Sequence, residues 1–218
     1  MTRTLPVAVL VSGEGTTLEG LAELAVGGHL PVRICLVVSD RPNIPAIERA
    51  RRRGIPTVVL PTRGVDPVAW SDRLTKELAD KGVELVVLAG FLSILPPRWV
   101  EQWRGRAINI HPALLPRHGG PGMYGMRVHR AVLAAGEPET GATVHVVTNE
   151  VDGGPTVAQE RMAVIPGDTP ESLRVRLHPI EVGLLAATIR RFADGDLPLP
   201  YSGPGRTAPG VQERPDAR

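Results

Sequence analysis

Short apolar runs alternate with helix-period segments through the first half of the chain, and this alternation constrains the fold more than any other feature. The apolar runs end at glycine or polar residues, as buried strands do, and cover residues 7–12, 34–39, 57–60, 85–89 and 107–110. Helical spacing between them predicts helices over residues 16–26, 45–53 and 67–81. Strands that are apolar on both faces need helices on both sides. The pattern therefore predicts an α/β fold with a Rossmann-like, open, twisted and mostly parallel sheet.

The second half of the chain is less regular. Helical spacing predicts helices over residues 128–135 and 170–193, and alternating side chains predict strands over residues 143–148 and 157–164. From residue 201 onward the chain is rich in proline, glycine and arginine and has no periodicity. We therefore expect one domain over residues 1–200, followed by a mobile tail over residues 201–218.

Composition excludes several classes of protein. Hydrophobic residues make up 42% of the 218 residues, which is typical of a globular chain. No apolar run reaches the ~18 residues that span a bilayer, and the first residues lack the features of a signal peptide, so we expect a cytoplasmic protein with no membrane partner. Cys35 is the single cysteine, which excludes an internal disulfide and a cysteine-based zinc site. The net charge of +2 gives no indication of nucleic-acid binding.

Three segments carry residues that are suited to chemistry. The first, SGEGTT at residues 12–17, directly follows the first predicted strand and opens the first helix. Its glycines let backbone amides approach a ligand, and a helix N-terminus favours an anion such as a phosphate. The segment lacks the lysine of a P-loop, and a plain turn with Thr16 or Thr17 as the helix cap is the competing interpretation.

The second segment is NIHP at residues 109–112, at the end of the fifth predicted strand. Asn109 and His111 share one face because side chains alternate along a strand, and polar groups at such a place are costly to bury without a function. A pair that is satisfied by loop backbone is the alternative. The third segment, VDGGP at residues 151–155, contains Asp152 and is by itself typical of a hairpin turn.

Taken together, the three segments supply an anion cradle, an amide donor beside an imidazole, and a carboxylate. None of them has cysteine, a metal-ligand spacing or a nucleophilic serine beside it. These residue types suit a reaction that passes through an oxyanion with proton transfer, without a covalent intermediate and without a metal.

At this point the chain resembles a known family. The segment NIHPALLP at residues 109–116 is similar to the signature of folate-dependent formyltransferases, and GATVH at 141–145 and VDGGP at 151–155 follow in the expected order. The segment VLAGFLSIL at 87–95 resembles the folate loop of that family, and residues 12–17 resemble the phosphate loop of phosphoribosylglycinamide formyltransferases in particular. The resemblance covers about residues 5–195.

The resemblance implies two substrates, glycinamide ribonucleotide and 10-formyltetrahydrofolate, the latter as co-substrate. The ribonucleotide would be held by the phosphate loop and by an acidic residue for the ribose hydroxyls, namely Gly13, Gly15, Thr16, Thr17 and Glu181. The folate pocket would be lined by Leu92, Ser93, Ile94, Leu95, Asn109, Val147, Val151 and Asp152. The family's catalytic trio matches Asn109, His111 and Asp152.

The implied reaction assigns a role to each member of the trio. The neutral amine attacks the formyl carbon, and Asn109 and His111 donate hydrogen bonds to the oxyanion that forms. Asp152 would favour the imidazolium form of His111, because an opposite charge nearby raises a histidine pKa, and it would accept the proton that the amine sheds.

The sequence also departs from the commonest members of that family. Residues 116–129, here called the glycine-rich segment, are several residues longer, and Arg127 stands where many members have a histidine. The position of a folate-tail arginine holds Pro67 or Val68. His118 and His178 are expected to be surface or loop histidines, and the direction of His145 on its strand is left open.

Other functions remain for comparison. A methionyl-tRNA formyltransferase would carry a C-terminal RNA-binding domain, and a formyltetrahydrofolate deformylase an N-terminal regulatory domain; neither is expected here. A sugar-nucleotide formyltransferase is disfavoured by the loop at residues 12–17, and a non-catalytic nucleotide-binding module would leave the trio without a role. The sequence leaves the oligomeric state, including a homodimer, open.

Overall fold

The computed structural model describes residues 4–203 of the 218-residue chain. Each predicted strand and helix is found there, with ends that differ by a few residues. The strands are β1 (Leu5–Val11), β2 (Val32–Ser39), β3 (Thr57–Val59), β4 (Leu85–Leu88), β5 (Ala107–His111), β6 (Glu139–Val146) and β7 (Thr156–Ala163). The helices are α1 (Thr16–Val26), α2 (Pro45–Arg52), α3 (Pro67–Asp80), α4 (Pro97–Gln102), α5 (Met126–Ala134) and α6 (Pro170–Asp194).

The strands form a seven-stranded sheet in the order β3-β2-β1-β4-β5-β6-β7. Strands β1 to β5 are parallel, whereas β6 runs antiparallel to β5 and β7 antiparallel to β6. The predicted Rossmann-like, mostly parallel sheet is confirmed. Because β6 is antiparallel to β5, its last residue, Val146, lies beside Ile108 near the start of β5. The loop that follows β6 folds back along the sheet and brings Asp152 to His145 and His111.

The two faces of the sheet carry separate apolar cores. In β1, Val7 and Val9 belong to the core beneath α1 and α6, while Ala8 and Leu10 belong to the core beneath α3 and α4. Successive side chains of a strand point to opposite faces, so a strand that is covered twice must be apolar at every position. This is why the central strands appear in the sequence as unbroken apolar runs.

Helix α4 is an element that the sequence patterns do not predict. It has six residues and begins at a proline after Pro96, so it offers too little periodicity to be recognised. Its place is fixed by burial instead, because Trp99 is fully buried and stacks on Trp103 with ring centroids 5.7 Å apart. The two tryptophans complete the core beneath α3 and α4.

The expected tail begins in packed structure. Tyr201 is 9% exposed, meets Phe192 edge-on with ring centroids 6.1 Å apart, and donates its backbone N–H to the carbonyl of Gly105 at 2.8 Å. The packed part of the chain therefore extends at least to Tyr201, and the remainder of the predicted mobile tail, residues 204–218, lies outside the described residues.

Among residues 4–203, no helix is long and apolar enough to cross a membrane.

Candidate active site

The loops that leave β1, β4 and β5 converge because these three strands are neighbours in the sheet. Ser12 ties the first two loops together. Its backbone N–H donates to the carbonyl of Gly90 at 3.1 Å, and its hydroxyl accepts from the backbone N–H of Leu92 at 2.8 Å. In open α/β sheets, ligands bind at this carboxyl edge, and the predicted site residues gather here.

The loop after β1 presents a helix N-terminus that no side chain caps. Gly15 is the residue before α1, it has a left-handed φ of 72°, and no side chain accepts from the first amides of the helix. A Cβ at Gly15 would lie 2.6 Å from the Cβ of Ala46, so both the backbone angle and the space require glycine. Arg49 supports the loop from α2 by donating from Nε to the carbonyl of Glu14 at 2.9 Å. The free amides form a cradle for an anion.

A cavity extends from this cradle to α5 and α6. The predicted residues Gly13, Gly15, Thr16, Thr17 and Glu181 all line it, together with Arg174, His129 and His178. The cationic and imidazole groups surround the cradle and add attraction for an anion, and Glu181 supplies a carboxylate that can accept from hydroxyl groups.

The second cluster lies where β5 ends. Asn109 and His111 come from this strand, and Asp152 comes from the turn after β6, where its backbone has a left-handed φ of 55°. His111 Nδ1 lies 3.5 Å from Asp152 Oδ2, and His145 Nε2 lies 3.4 Å from Asp152 Oδ1. The structure thus brings together the three residues that the sequence selected.

Burial affects the pKa values of this cluster. It lowers the pKa of His111, whereas the nearby Asp152 carboxylate and the hydrogen bond to the His118 carbonyl act to raise it. For Asp152, burial alone would raise the pKa, but His145, His111 and the amide of Gly120 together bring it below its usual value. The Asp152 carboxylate thus acts on His111 in the expected direction, but the cost of burying a charged ring is larger, and the net shift of the His111 pKa is downward.

His145 is a site residue that sequence reasoning left undecided. It is 3% exposed and lies directly opposite Asn109 in the β5–β6 pairing, with its Nε2 3.0 Å from the amide nitrogen of Asn109. The antiparallel register of these two strands is what places the ring there. To predict the position of the His145 ring from the sequence, one would need to know the register between β5 and β6.

The expectation for His118 and His178 also changes. His118 does lie in a loop, but its ring contacts Glu137 at 3.1 Å and its carbonyl lies 2.9 Å from Nε2 of His111. His178 lies on α6 and lines the anion cavity, 3.9 Å from Glu181. Its position three residues before Glu181 on a helix was the signal that could have placed it there.

An apolar cavity opens on the other side of Asn109. The residues expected to bind the folate all line it, namely Leu92, Ser93, Ile94, Leu95, Asn109, Val147, Val151 and Asp152. Leu92, Ile94 and Val151 are 40%, 75% and 37% exposed, which is unusual for large apolar side chains and indicates a surface that a flat apolar ligand would cover.

A third cavity joins the first two. It is lined by Asn109, His111 and Asp152, and on its outer side by the glycine-rich segment from Gly120 to Gly125. Ligands in the anion cavity and in the apolar cavity would therefore meet beside the trio. Among residues 4–203, no group of three or more His, Cys, Asp and Glu side chains is placed to hold a metal ion.

Both the sequence and the structure are similar to those of known proteins. The profile of the formyl transferase family matches residues 5–189. The chain is 36% identical to the phosphoribosylglycinamide formyltransferase of Escherichia coli over 194 residues, which cover 88% of this chain and 89% of that protein. It is 39% identical over 198 residues to a trifunctional purine biosynthetic protein of Drosophila pseudoobscura pseudoobscura. That match covers 88% of this chain and 14% of the length of the Drosophila protein.

A solved structure agrees with these similarities. The phosphoribosylglycinamide formyltransferase of Coxiella burnetii superposes with a TM-score of 0.82 at 37% identity, covering 89% of this chain and 90% of the other.

Proposed function

The chain belongs to the formyl transferase family, and on that premise we propose that it transfers the formyl group of 10-formyltetrahydrofolate to the amine of glycinamide ribonucleotide. The products are formylglycinamide ribonucleotide and tetrahydrofolate, and the reaction belongs to purine biosynthesis. The observation that carries the proposal is the pair of unlike cavities, one for an anion and one for a flat ring, which meet at Asn109, His111 and Asp152.

The phosphate of the ribonucleotide binds the uncapped start of α1, where Gly13, Gly15, Thr16 and Thr17 present backbone amides. Glu181, whose side chain is 15% exposed, lies in the same cavity and accepts from the ribose hydroxyls. The glycinamide amine then extends toward the junction cavity. This orientation places the phosphate at one end of the site and the nucleophile at the other.

The folate occupies the apolar cavity. Its pterin ring packs against the side chains of the loop after β4, where Leu92 and Ile94 are exposed, and against Val151 from the opposite wall. Covering these side chains removes apolar area from water, which favours binding by about 25 cal/mol per Å². The formyl group at the inner end of the cavity is then beside Asn109.

The reaction needs an oxyanion donor and a proton acceptor. The amine nitrogen attacks the formyl carbon, and the carbonyl electron pair moves to oxygen, where an N–H of Asn109 stabilises it. One N–H of that amide contacts His145 at 3.0 Å, which leaves the second for the oxyanion. Asp152 accepts the proton that the amine sheds. The carbon–nitrogen bond to the folate then breaks, and its electron pair leaves on that nitrogen, which takes up a proton.

A direct test is the release of tetrahydrofolate from 10-formyltetrahydrofolate, measured with and without glycinamide ribonucleotide. We expect release only when the ribonucleotide is present. Release without it would assign the protein to the deformylases, and no release under either condition would overturn the proposed acceptor.

A further inference from the structure

The glycine-rich segment places an exposed aromatic ring at the junction cavity, which is the cavity that joins the anion cavity to the apolar one. Tyr124 lines this cavity and is 43% exposed. Phe91 and Ile94, from the loop after β4, line the same cavity. Apolar side chains that reach one cavity from two separate loops are typical of a site for a flat organic group.

A guanidinium group lies over this aromatic ring. The central carbon of the Arg127 guanidinium is 4.9 Å from the centroid of the Tyr124 ring, a distance at which a cation and an aromatic face attract each other. The backbone also joins the two residues, because the N–H of Arg127 donates to the carbonyl of Tyr124 at 3.2 Å. The ring and the guanidinium are therefore held together without a ligand.

Two glycines shape the turn that presents this pair. Gly122 has a φ of 86°, and Gly125, directly before α5, has a φ of 53° and a ψ of −135°. Residues with a Cβ rarely adopt such angles. The glycines of the segment thus serve to bring Tyr124 and Arg127 to the rim of the junction cavity.

The guanidinium of Arg127 is available to an anion. Within residues 4–203 it is exposed and pairs with no carboxylate, whereas Arg41, Arg98 and Arg117 each do so. The residues that line the apolar cavity and the junction cavity include no lysine or arginine. An anionic group that leaves the junction cavity would therefore find its cation at Arg127 and not in the cavity wall.

The chemistry of the folate determines which group reaches this point. In 10-formyltetrahydrofolate, the nitrogen that carries the formyl group joins the pterin part to a benzoyl ring, and that ring carries a glutamate with two carboxylates. With the pterin in the apolar cavity and the formyl group beside Asn109, the benzoyl ring lies on the far side of this nitrogen. Asn109 and Asp152 line both the apolar cavity and the junction cavity, so the two cavities are continuous where the nitrogen lies.

Resting on the function proposed above, we propose that Tyr124 and Arg127 bind the benzoyl-glutamate part of the folate. The ring of Tyr124 packs on the benzoyl ring, and the guanidinium of Arg127 donates to a glutamate carboxylate. The pair determines affinity for the co-substrate, whereas the chemical step belongs to the residues where β5 ends.

The folate and its form without glutamate, 10-formyltetrahydropteroate, separate the two contacts. With the folate, we expect Tyr124→Ala to raise KM about tenfold and Arg127→Met to raise it about fivefold, while kcat stays within about twofold. With the pteroate, Tyr124→Ala should keep its effect and Arg127→Met should lose it. KM for the ribonucleotide should change less than about twofold in both variants. An equal effect of Arg127→Met on folate and pteroate would overturn the proposed ion pair.

Two further variants serve as controls. Tyr124→Phe keeps the ring and should recover most of the affinity that Tyr124→Ala loses. Arg63→Met removes another exposed cation, next to Thr62, whose hydroxyl lies 3.0 Å from that of Ser93 in the apolar cavity. We expect Arg63→Met to leave both KM values unchanged. The proposal is overturned if Arg63→Met raises KM for the folate and Arg127→Met does not, or if Tyr124→Ala raises KM for the ribonucleotide instead.

Binding of tetrahydrofolate, measured by calorimetry, tests the pair without the formyl acceptor. We expect Tyr124→Ala and Arg127→Met to weaken it by the factors given for KM, and Arg127→Met keeps the test valid if Tyr124→Ala fails to fold, because Arg127 is exposed. Native affinity in both variants would overturn the proposal even if the protein formylates the ribonucleotide. The expected losses in a protein that does not formylate the ribonucleotide would contradict the proposed acceptor and support the role of the pair.

Discussion

The amide nitrogen of Asn109 lies 3.0 Å from Nε2 of His145, across the β5–β6 pairing. The other ring nitrogen of His145 lies 3.0 Å from the carbonyl oxygen of Val146, so in the neutral ring Nδ1 carries the proton and Nε2 accepts. Because Nε2 of His145 accepts, the NH₂ end of the Asn109 amide, and not its oxygen, faces the ring. The direction of the second N–H of that amide is therefore set by the pairing of β5 with β6, and not by the loop after β5.

His145→Ala should lower kcat by about tenfold, because Asn109 loses the partner that orients it, whereas loss of the Asn109 donor itself costs about 10²–10³. The measurement is a double-mutant cycle on kcat with Asn109→Ala. If His145 acts through Asn109, His145→Ala has little further effect in the Asn109→Ala background. An undiminished effect there would show that the ring acts through Asp152 instead.

Gly15→Ala should weaken binding of the ribonucleotide and spare the folate. The added Cβ would lie 2.6 Å from Ala46 in a backbone with φ of 72°, so the loop must shift and the amide cradle is displaced. We expect KM for glycinamide ribonucleotide to rise about tenfold and KM for the folate to stay within about twofold.

Gly28→Ala is the matched control for that variant. Gly28 also has a positive φ, of 71°, but a Cβ there would meet no atom within 4 Å. It should reduce stability modestly without changing either KM. An equal loss of folate binding in Gly15→Ala would mean that the anion cradle is misplaced.

The buried histidines should make stability depend on pH. Burial lowers the pKa of His129 and of His111, so between their folded pKa values and the ~6.5 of an unfolded histidine the unfolded chain binds more protons. Stability is then greatest above about pH 6.5 and falls as the pH drops below it. We expect the urea midpoint to be lower at pH 5.5 than at pH 7.5.

His129→Asn, which removes a titrating ring, should reduce that difference in midpoint. The same substitution at the exposed His29 provides the control for replacing a histidine by asparagine. A His129→Asn protein with the full native pH dependence would show that this ring does not contribute.

The sheet could be predicted because its central strands are buried on both faces. A strand that is buried on both faces is apolar at every position, and such strands appear in the sequence as continuous apolar runs. Asn109 and His111 could be selected because polar residues at the end of such a run are conspicuous. Asp152 lies in a segment that is by itself typical of a hairpin turn, and it was selected through the resemblance to a family. Helix α4 could not, since six residues beginning at a proline have no clear period and Trp99 holds them by tertiary packing.

The supporting groups of the site escaped prediction for a related reason. His145 reaches Asn109 only through the register of two antiparallel strands, and His118 reaches His111 only through a backbone carbonyl in a left-handed conformation. Neither relationship leaves a pattern of residue types. The glycine-rich segment showed that its backbone had unusual freedom, but not which residues that backbone would contact.

The most direct test of the reaction follows the formyl carbon itself. With ¹³C-labelled formyl-folate and glycinamide ribonucleotide, we expect ¹³C NMR to show the label passing to the glycinamide nitrogen in the native protein. In Asp152→Asn, which cannot accept the proton, we expect the transfer to be slower by at least about 10². Label that appears as free formate, or transfer at the native rate in a folded Asp152→Asn protein, would contradict the assignment of this site.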